Sequence, residues 1–478
     1  MKTTDGKTGG TTGGRTGEEK QPRIAVVGGG IGGLALAGML HRQGIAATVY
    51  ERDAHAGART QGGTLDLHPE SGRRALDELG LTEAFRAEAR PEGEELRILD
   101  PAGRTLVHRV PGPEGGSRPE IDRAKLRELL MSRVPDHAIR WGHHLTGVEE
   151  LPTGGHRLEF ADGSHADCDL LVGADGARSR IRPLLTDVRP VHLSAYLQLG
   201  ITDADRRRPG IAEFVGPGSL MALGDNLSLG AQRSGDGTIR VSVTVRADEG
   251  WVERQGFGDA EWGEVVARLH GLFAGWDAGL TALIDACDPG SLVGRNIEAL
   301  PVGTRWPSRP HATLLGDAAH LMPPVGEGAN QALLDGVLLA RAIAGHRDDV
   351  AAAVAAYEAE MFDRAAVVGA DSAELERMWL APAAAEGLGC LFSAGGVGSE
   401  CGGRRESECG GALPGAAAGR TAVGRRGPAA GSAWSRVSAR PASASRTCGG
   451  SSPSCAPNTL RSSGSPSSAS AGPPWSSG

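Results

Sequence analysis

The stretch RIAVVGGGIGGLALAGML, Arg23 to Leu40, decides the fold, because it reads as an apolar strand, a glycine turn and an apolar helix in immediate succession. Gly28, Gly30 and Gly33 satisfy the spacing G-x-G-x-x-G. The first glycine permits a tight turn, the second lets the backbone approach a pyrophosphate, and the third lets the helix pack closely on the strand. The free N–H groups at the helix N-terminus then form an anion site. A second strand, ATVYER, ends at Glu51, and 51 − 28 = 23 residues separate it from the first glycine. A carboxylate at roughly 20 residues' offset meets the ribose hydroxyls of a bound dinucleotide.

Outward from this unit, the chain's 478 residues exceed one average domain, so two interleaved domains with appendages are expected. Residues 1–21, rich in Gly, Thr and charge, lack an apolar signal core and read as a disordered arm. The apolar run from Ile24 is too short to span a bilayer, so no membrane segment is expected. Of seven cysteines only Cys168 and Cys287 precede residue 390, which leaves no disulfide framework, no zinc spacing and no metal site. A reducing cytoplasm is the simplest compartment. The net charge of −8 divides into +6 from Gly387 onward, with nine Arg and three Glu, and −14 before it. No basic patch interleaved with aromatics is present, which argues against nucleic acid as a partner.

The expected class is α/β with an α+β insertion. Residues 22–185 and 295–345 read as a discontinuous Rossmann-like domain on a parallel sheet. GGTLDLHPESGRRALDELGL runs from a loop into an amphipathic helix, IDRAKLRELLMSRV forms another, and DLLVGADG is a buried strand ending in Asp175-Gly176. Alternating runs such as SAYLQLGI, NLSLGAQ and TIRVSVTV make residues 186–294 an antiparallel-sheet substrate domain. Residues 346–380 read as a C-terminal helix. Residues 381–478 lose periodicity and cannot bury a core, either as a natural disordered tail or as the product of a frameshift. Five unpaired cysteines there would be exposed to oxidation, which favours the frameshift.

Three motifs in this order, Gly28 to Gly33, Gly173-Ala174-Asp175-Gly176 and Gly316-Asp317-Ala318-Ala319-His320, resemble the FAD-dependent aromatic hydroxylase family of flavoprotein monooxygenases. YERDAHAGARTQGGTLDLH, PEIDRAKLRELL and GDAAHLMPP are similar to the tetracycline-inactivating members of that family, over roughly residues 22–380. The resemblance implies FAD as cofactor, NADPH or NADH as a transient reductant, O2 as co-substrate, and an aromatic or polyketide-type small molecule as the ring that receives oxygen. The oxidant forms on the flavin, so no protein acid–base pair is required for catalysis.

Residue by residue, the resemblance implies ribose contact by Glu51, adenine-side packing by Arg52 and reductant binding by Arg59. It implies flavin contact by Asp66 and Arg123, a dual role for Asp175, and ribityl contact by Asp317. Gly326, Glu327, Gly328, Ala329 and Asn330 match a helix-start loop whose N–H groups would stabilise negative charge on a reduced ring. This loop is one residue shorter than in the tetracycline enzymes, and Glu327 stands where they carry glutamine. Gln198 matches a tetracycline-contacting glutamine, whereas Ser219 and Arg240 replace an arginine and a histidine, which leaves a broader polyphenol or polyketide open. His320 reads as a structural cap, and Met378 and Trp379 as either substrate-entrance or helix-packing residues. A monomer is expected. The rival readings are a polyketide-tailoring or phenolic hydroxylase unrelated to resistance, and a non-catalytic or damaged flavin-binding protein.

Overall fold

The computed structural model describes residues 22–58, 62–112, 116–152 and 154–388. Arg59, the arm and residues 389–478 lie outside the described residues, whereas residues 381–388, expected to be part of a coreless tail, are described and bury Ala384, Ala385 and Leu388 in a small apolar cluster. The sequence signal that opened the fold becomes the centre of a five-stranded, wholly parallel sheet, in the order Ala312–Leu314, Leu170–Gly173, Ile24–Val27, Ala47–Tyr50, Ile139–Arg140. Strand Ile24–Val27 is buried throughout, as its unbroken apolar sequence requires of a central parallel strand.

Helix α1 (Ile31–Arg42) follows it, and its residues Ile31 to Leu40 are all buried. A helix apolar on every side must be covered on every side. Gly44, at φ +73°, ends it. Helix α2 (Arg123–Met131) buries Leu126, Arg127 and Leu130. Helix α3 (Gly328–Gly345) crosses α1 through glycine: a Cβ at Gly32 would lie 2.9 Å from Ala332 O, and one at Gly336 would lie 2.6 Å from Gly32 O. Helix α4 (Val350–Trp379) lies against the sheet edge, where the Tyr357 hydroxyl donates to Leu314 O at 3.1 Å and Glu358 accepts from Trp306 Nε1 and Thr313 Oγ1.

A second, seven-stranded sheet runs Val293–Ala299, Val191–Ile201, Ile239–Val245, Leu227–Arg233, Ser219–Gly224, Leu96–Leu99, Thr105–Arg109. All its pairings are antiparallel except that of Ser219–Gly224 with Leu96–Leu99. This sheet therefore uses strands from before residue 186 and beyond residue 294. The fold is mixed α/β, as expected. Alternation splits its two faces: Leu197, Leu199, Val241, Val243, Leu220 and Leu229 pack into one apolar cluster with Leu269 and Phe273. The opposite face presents Tyr196, Gln198, Arg240, Ser242 and Ser219. Among the described residues, no helix is long and apolar enough to cross a membrane.

Candidate active site

The glycine turn is shaped by two different constraints. Gly28 adopts φ +111°, and a Cβ there would lie 2.7 Å from the Ala174 carbonyl carbon, so the turn is pressed against the end of the next strand. At Gly33, a Cβ would run into Gly28 O. Gly30 differs: its backbone is extended and a Cβ would meet nothing within 4 Å. The turn is closed where the chain needs it closed and open at the head of α1. Glu51 is almost fully buried and accepts from Gly29 N–H at 2.7 Å and Asp53 N–H at 2.9 Å. Two backbone donors thus aim its carboxylate at the turn, while Arg52 is exposed.

Arg127, which sequence reasoning passed over for Arg123, binds the same turn: Nε donates to Gly29 O at 3.1 Å and Nη1 to Ala56 O at 2.9 Å. Its Nη2 is buried without a partner, as is Nε of Arg240. Both side chains line a cavity of about 330 Å³ with Gly57, Gly63, Asp122 and Ser234. The spacing of four between Arg123 and Arg127 was the available signal, since both fall on one face of α2.

Arg123 has no hydrogen bond or ion pair to its guanidinium among the described residues. Burial pulls its pKa down, and the opposing carboxylate of Asp317 resists that shift while nearby Arg295 reinforces it. Asp317 is exposed at the start of a short turn of helix, Asp317–His320, and a Cβ on Gly328 would sit 3.6 Å from its Oδ1. Arg182, also missed, ties the two motif loops together by donating to Ala318 O at 2.8 Å, Asp317 O at 3.0 Å and Ala177 O at 2.8 Å. Asp175 turns back into its own loop, where Oδ2 accepts from Arg180 N–H at 2.7 Å and Oδ1 is buried without a partner. Burial raises the Asp175 pKa.

The third loop closes on Asp66. Asn330, fully buried, accepts from His68 N–H at 2.9 Å and donates to Asp66 O and Gly326 O, clasping the loop to Thr64–Asp66, which is a short strand paired with Glu120–Asp122 rather than the loop expected there. Gly326, at φ +101°, brings its backbone against Asp66: a Cβ there would lie 3.3 Å from Oδ1. Ala329 packs on the main core. Glu327 points inward, with Oε1 at 3.4 Å from His68 Nδ1. His68 Nε2 lies 2.8 Å from Asp66 Oδ2, and although burial pushes this imidazole down, the two carboxylates raise it to about 9. His320 makes no cap contact for its helix; its Nε2 lies 2.6 Å from Oδ2 of buried Asp335, a partner the sequence did not indicate.

Gln198, on the polar face of the second sheet, accepts from Arg295 Nη2 at 2.6 Å, and Arg295 stacks over Tyr196 at 4.8 Å. Ser219 and Arg240 occupy the adjoining row of that face through Gln232 and Gly200. Trp379 Nε1 donates to Ser228 Oγ at 3.3 Å, and Met378 packs near Met221 and Val325. The described residues hold no cluster able to bind a metal.

These groups fit a flavin dinucleotide. Open space over Gly30, an aimed Glu51 carboxylate, an orphaned Arg127 N–H and unpaired Arg123 and Asp317 are groups that would hold its anion, hydroxyls and ring.

The chain matches the model of an FAD-binding domain over residues 22–275. It is 35% identical over 352 residues to 3-amino-4-hydroxybenzoate 2-monooxygenase of Streptomyces platensis, covering 71% of this chain and 83% of that one. It is 32% identical to the FAD-dependent urate hydroxylase of Mycolicibacterium vanbaalenii, covering 72% and 85%. Among solved structures, a variant of Klebsiella pneumoniae HpxO complexed with FAD is 25% identical with a TM-score of 0.62, covering 75% and 90%. The tetracycline destructase Tet(51) shares the fold at 18% identity and a TM-score of 0.59, covering 78% and 95%.

Proposed function

Because this chain belongs to the FAD-binding family of flavin-dependent monooxygenases, we propose that it inserts one oxygen atom of O2 into an anionic, electron-rich aromatic ring. NADPH or NADH serves as reductant, and FAD is held by Gly28, Gly30, Gly33, Glu51, Asp66, Arg123, Asp175, Asp317 and the 326–330 loop. Bound FAD supplies the redox and oxygen-transfer chemistry. The chain's own work is binding, orientation and exclusion of water.

The observation that carries this reading is an Arg123 guanidinium that has no hydrogen-bond or ion-pair partner among the described residues and lies within electrostatic reach of both Asp317 and Arg295. Two guanidiniums beside one carboxylate leave a net positive site, suited to a carboxylate or phenolate ring. Arg295 also holds the Gln198 carbonyl, which leaves the Gln198 N–H₂ free to donate to a substrate oxygen. The name of the Streptomyces relative, an aminohydroxybenzoate monooxygenase, supports an aromatic acid. For tetracycline, the support is the fold shared with Tet(51) and the match at Gln198; Ser219 and Arg240 weigh against it.

The test is reductant oxidation by flavin-loaded protein against a panel of hydroxybenzoates, neutral phenols and tetracycline, with ¹⁸O₂ and mass spectrometry of products. Labelled oxygen in an aromatic acid, with KM raised at least tenfold by Arg295→Met for the acid alone, is the expected result. Oxygen incorporation only into neutral rings or tetracycline would overturn the anionic-substrate reading. Protein that retains no flavin would overturn the enzyme reading itself.

A further inference from the structure

One face of α3 carries a stripe that a buried helix should not tolerate. Glu327 at its cap, Gln331 and Asp335 follow at intervals of four, and all three are buried, Asp335 completely. Buried polar groups are ordinarily paired, and here hydrogen bonds run from Asp335 through Arg364 and Gln331 to Glu327, beyond which Glu327 Oε1 meets His68 Nδ1 as an ion contact without a hydrogen bond. Arg364 of α4 donates from Nη2 to Asp335 Oδ1 and from Nε to Gln331 Oε1 at 2.9 Å. Gln331 Nε2 donates to Glu327 Oε2 at 3.2 Å, which leaves Glu327 Oε1 facing His68 at 3.4 Å, and His68 reaches Asp66. At the other end, Asp335 Oδ2 accepts from Gly316 N–H at 2.8 Å beside His320.

An amide has one accepting and one donating end. Once Arg364 takes the Gln331 oxygen, the Gln331 nitrogen must face Glu327, which sets where that carboxylate lies against His68. The same guanidinium, together with His320 at 2.6 Å, faces the carboxylate that holds Gly316, the residue before Asp317. Both ends of the stripe are loops assigned above to the flavin, and Arg364 touches neither.

We propose that Arg364 is a positioning residue that fixes the 326–330 loop, with the Asp66 it meets, and the Gly316–Asp317 loop relative to each other through the Glu327, Gln331 and Asp335 stripe. The inference rests on the reading that those loops hold FAD. Lysine at 364 would keep a cation on Asp335 but lacks the planar fork that also reaches Gln331.

The test compares wild type, Arg364→Lys, Glu327→Gln and the double variant by FAD titration of apoprotein and by NMR titration of the His68 imidazole. Arg364→Lys is expected to weaken FAD binding tenfold or more. It should also lower the His68 midpoint by about half a unit or more as Glu327 leaves its contact, since Glu327 and Asp66 hold that midpoint up. In the Glu327→Gln background the same change should add less than about threefold, because the path is already cut. If Arg364→Lys unfolds the protein, Arg364→Met with Asp335→Asn removes both charges of the pair, and the same losses are expected. An unmoved His68 midpoint, unchanged FAD affinity, or fully multiplying effects would overturn the proposal. Wild-type protein that binds no FAD would remove the flavin reading, and the His68 shift in apoprotein would still decide whether the stripe transmits position.

Discussion

Gly30→Ala separates folding from cofactor binding more cleanly than any other substitution at this site. The added Cβ meets nothing within 4 Å, and the residue sits at φ −78° and ψ −176°, an extended conformation open to alanine. As the N-cap of α1, alanine is worse than glycine by up to about 1 kcal/mol. Alanine also reduces the freedom of the unfolded chain, which returns about 0.4–1 kcal/mol. The two terms oppose each other, so urea unfolding of apoprotein should move by no more than about 1 kcal/mol in either direction. Binding is another matter. A methyl group over the helix head would hold a pyrophosphate oxygen away from a backbone donor, and a hydrogen bond to a charged group contributes about 1.5–3 kcal/mol. At 1.4 kcal/mol per decade, FAD affinity should fall by roughly 10- to 150-fold. Fluorescence titration of FAD into apoprotein reads this directly. Gly28→Ala is the control: positive φ and overlap with Ala174 predict a loss of roughly 2–5 kcal/mol in the apoprotein itself. Wild-type FAD affinity in Gly30→Ala would mean that no phosphate lies over Gly30. Strong destabilisation of its apoprotein would mean that the space is not open.

Three further outcomes follow from buried groups. Burial, with Asp66 adding repulsion, pushes the Glu120 pKa up to about 8. Its folded pKa thus exceeds its unfolded value, so stability is greatest below about 4.5 and declines as pH rises through 8. Glu120→Gln should therefore gain roughly 1–3 kcal/mol over wild type in denaturant melts at pH 8.5 and gain nothing at pH 4; an equal gain at both would refute the assignment. Burial also pushes the Cys168 and Cys287 thiols up to about 12, so maleimide at pH 8 should label neither in native protein and both in denaturant, read by peptide mass spectrometry. Arg182→Met strips donors from three carbonyls and should cost roughly 2–5 kcal/mol in chemical denaturation, whereas a loss below about 1 kcal/mol would show that the two motif loops hold without the clamp.

How much of this was legible in sequence depends on how local each cause is. The turn at Gly28 to Gly33 was legible because its constraints arise within one strand–helix unit, and Glu51 because a parallel neighbour follows at a regular offset. The polar face carrying Gln198, Arg240 and Ser219 was legible as types, since strict alternation assigns a face. The seven-stranded sheet was only partly legible. Leu96–Leu99 pairs in parallel with Ser219–Gly224, more than a hundred residues away, and nothing in either segment announces the other.

The arginines mark the deeper limit. Arg123, Arg127, Arg182, Arg295 and Arg364 look alike in sequence, as long cations on helices or strands that ordinarily face water. What distinguishes them is what each finds after packing: backbone carbonyls for Arg127 and Arg182, side-chain oxygens for Arg295 and Arg364, and no protein partner for Arg123 among the described residues. A guanidinium carries five donors in a rigid fork, so burial forces it either to knit elements together or to await a ligand. The forks satisfied by carbonyls tie separate segments together, and the fork without a protein partner near Asp317 is the one the proposed ligand would engage. That sorting depends on neighbours 29 to 136 residues distant along the chain, which is why motif spacing marks the glycine turn but not the cations packed around it.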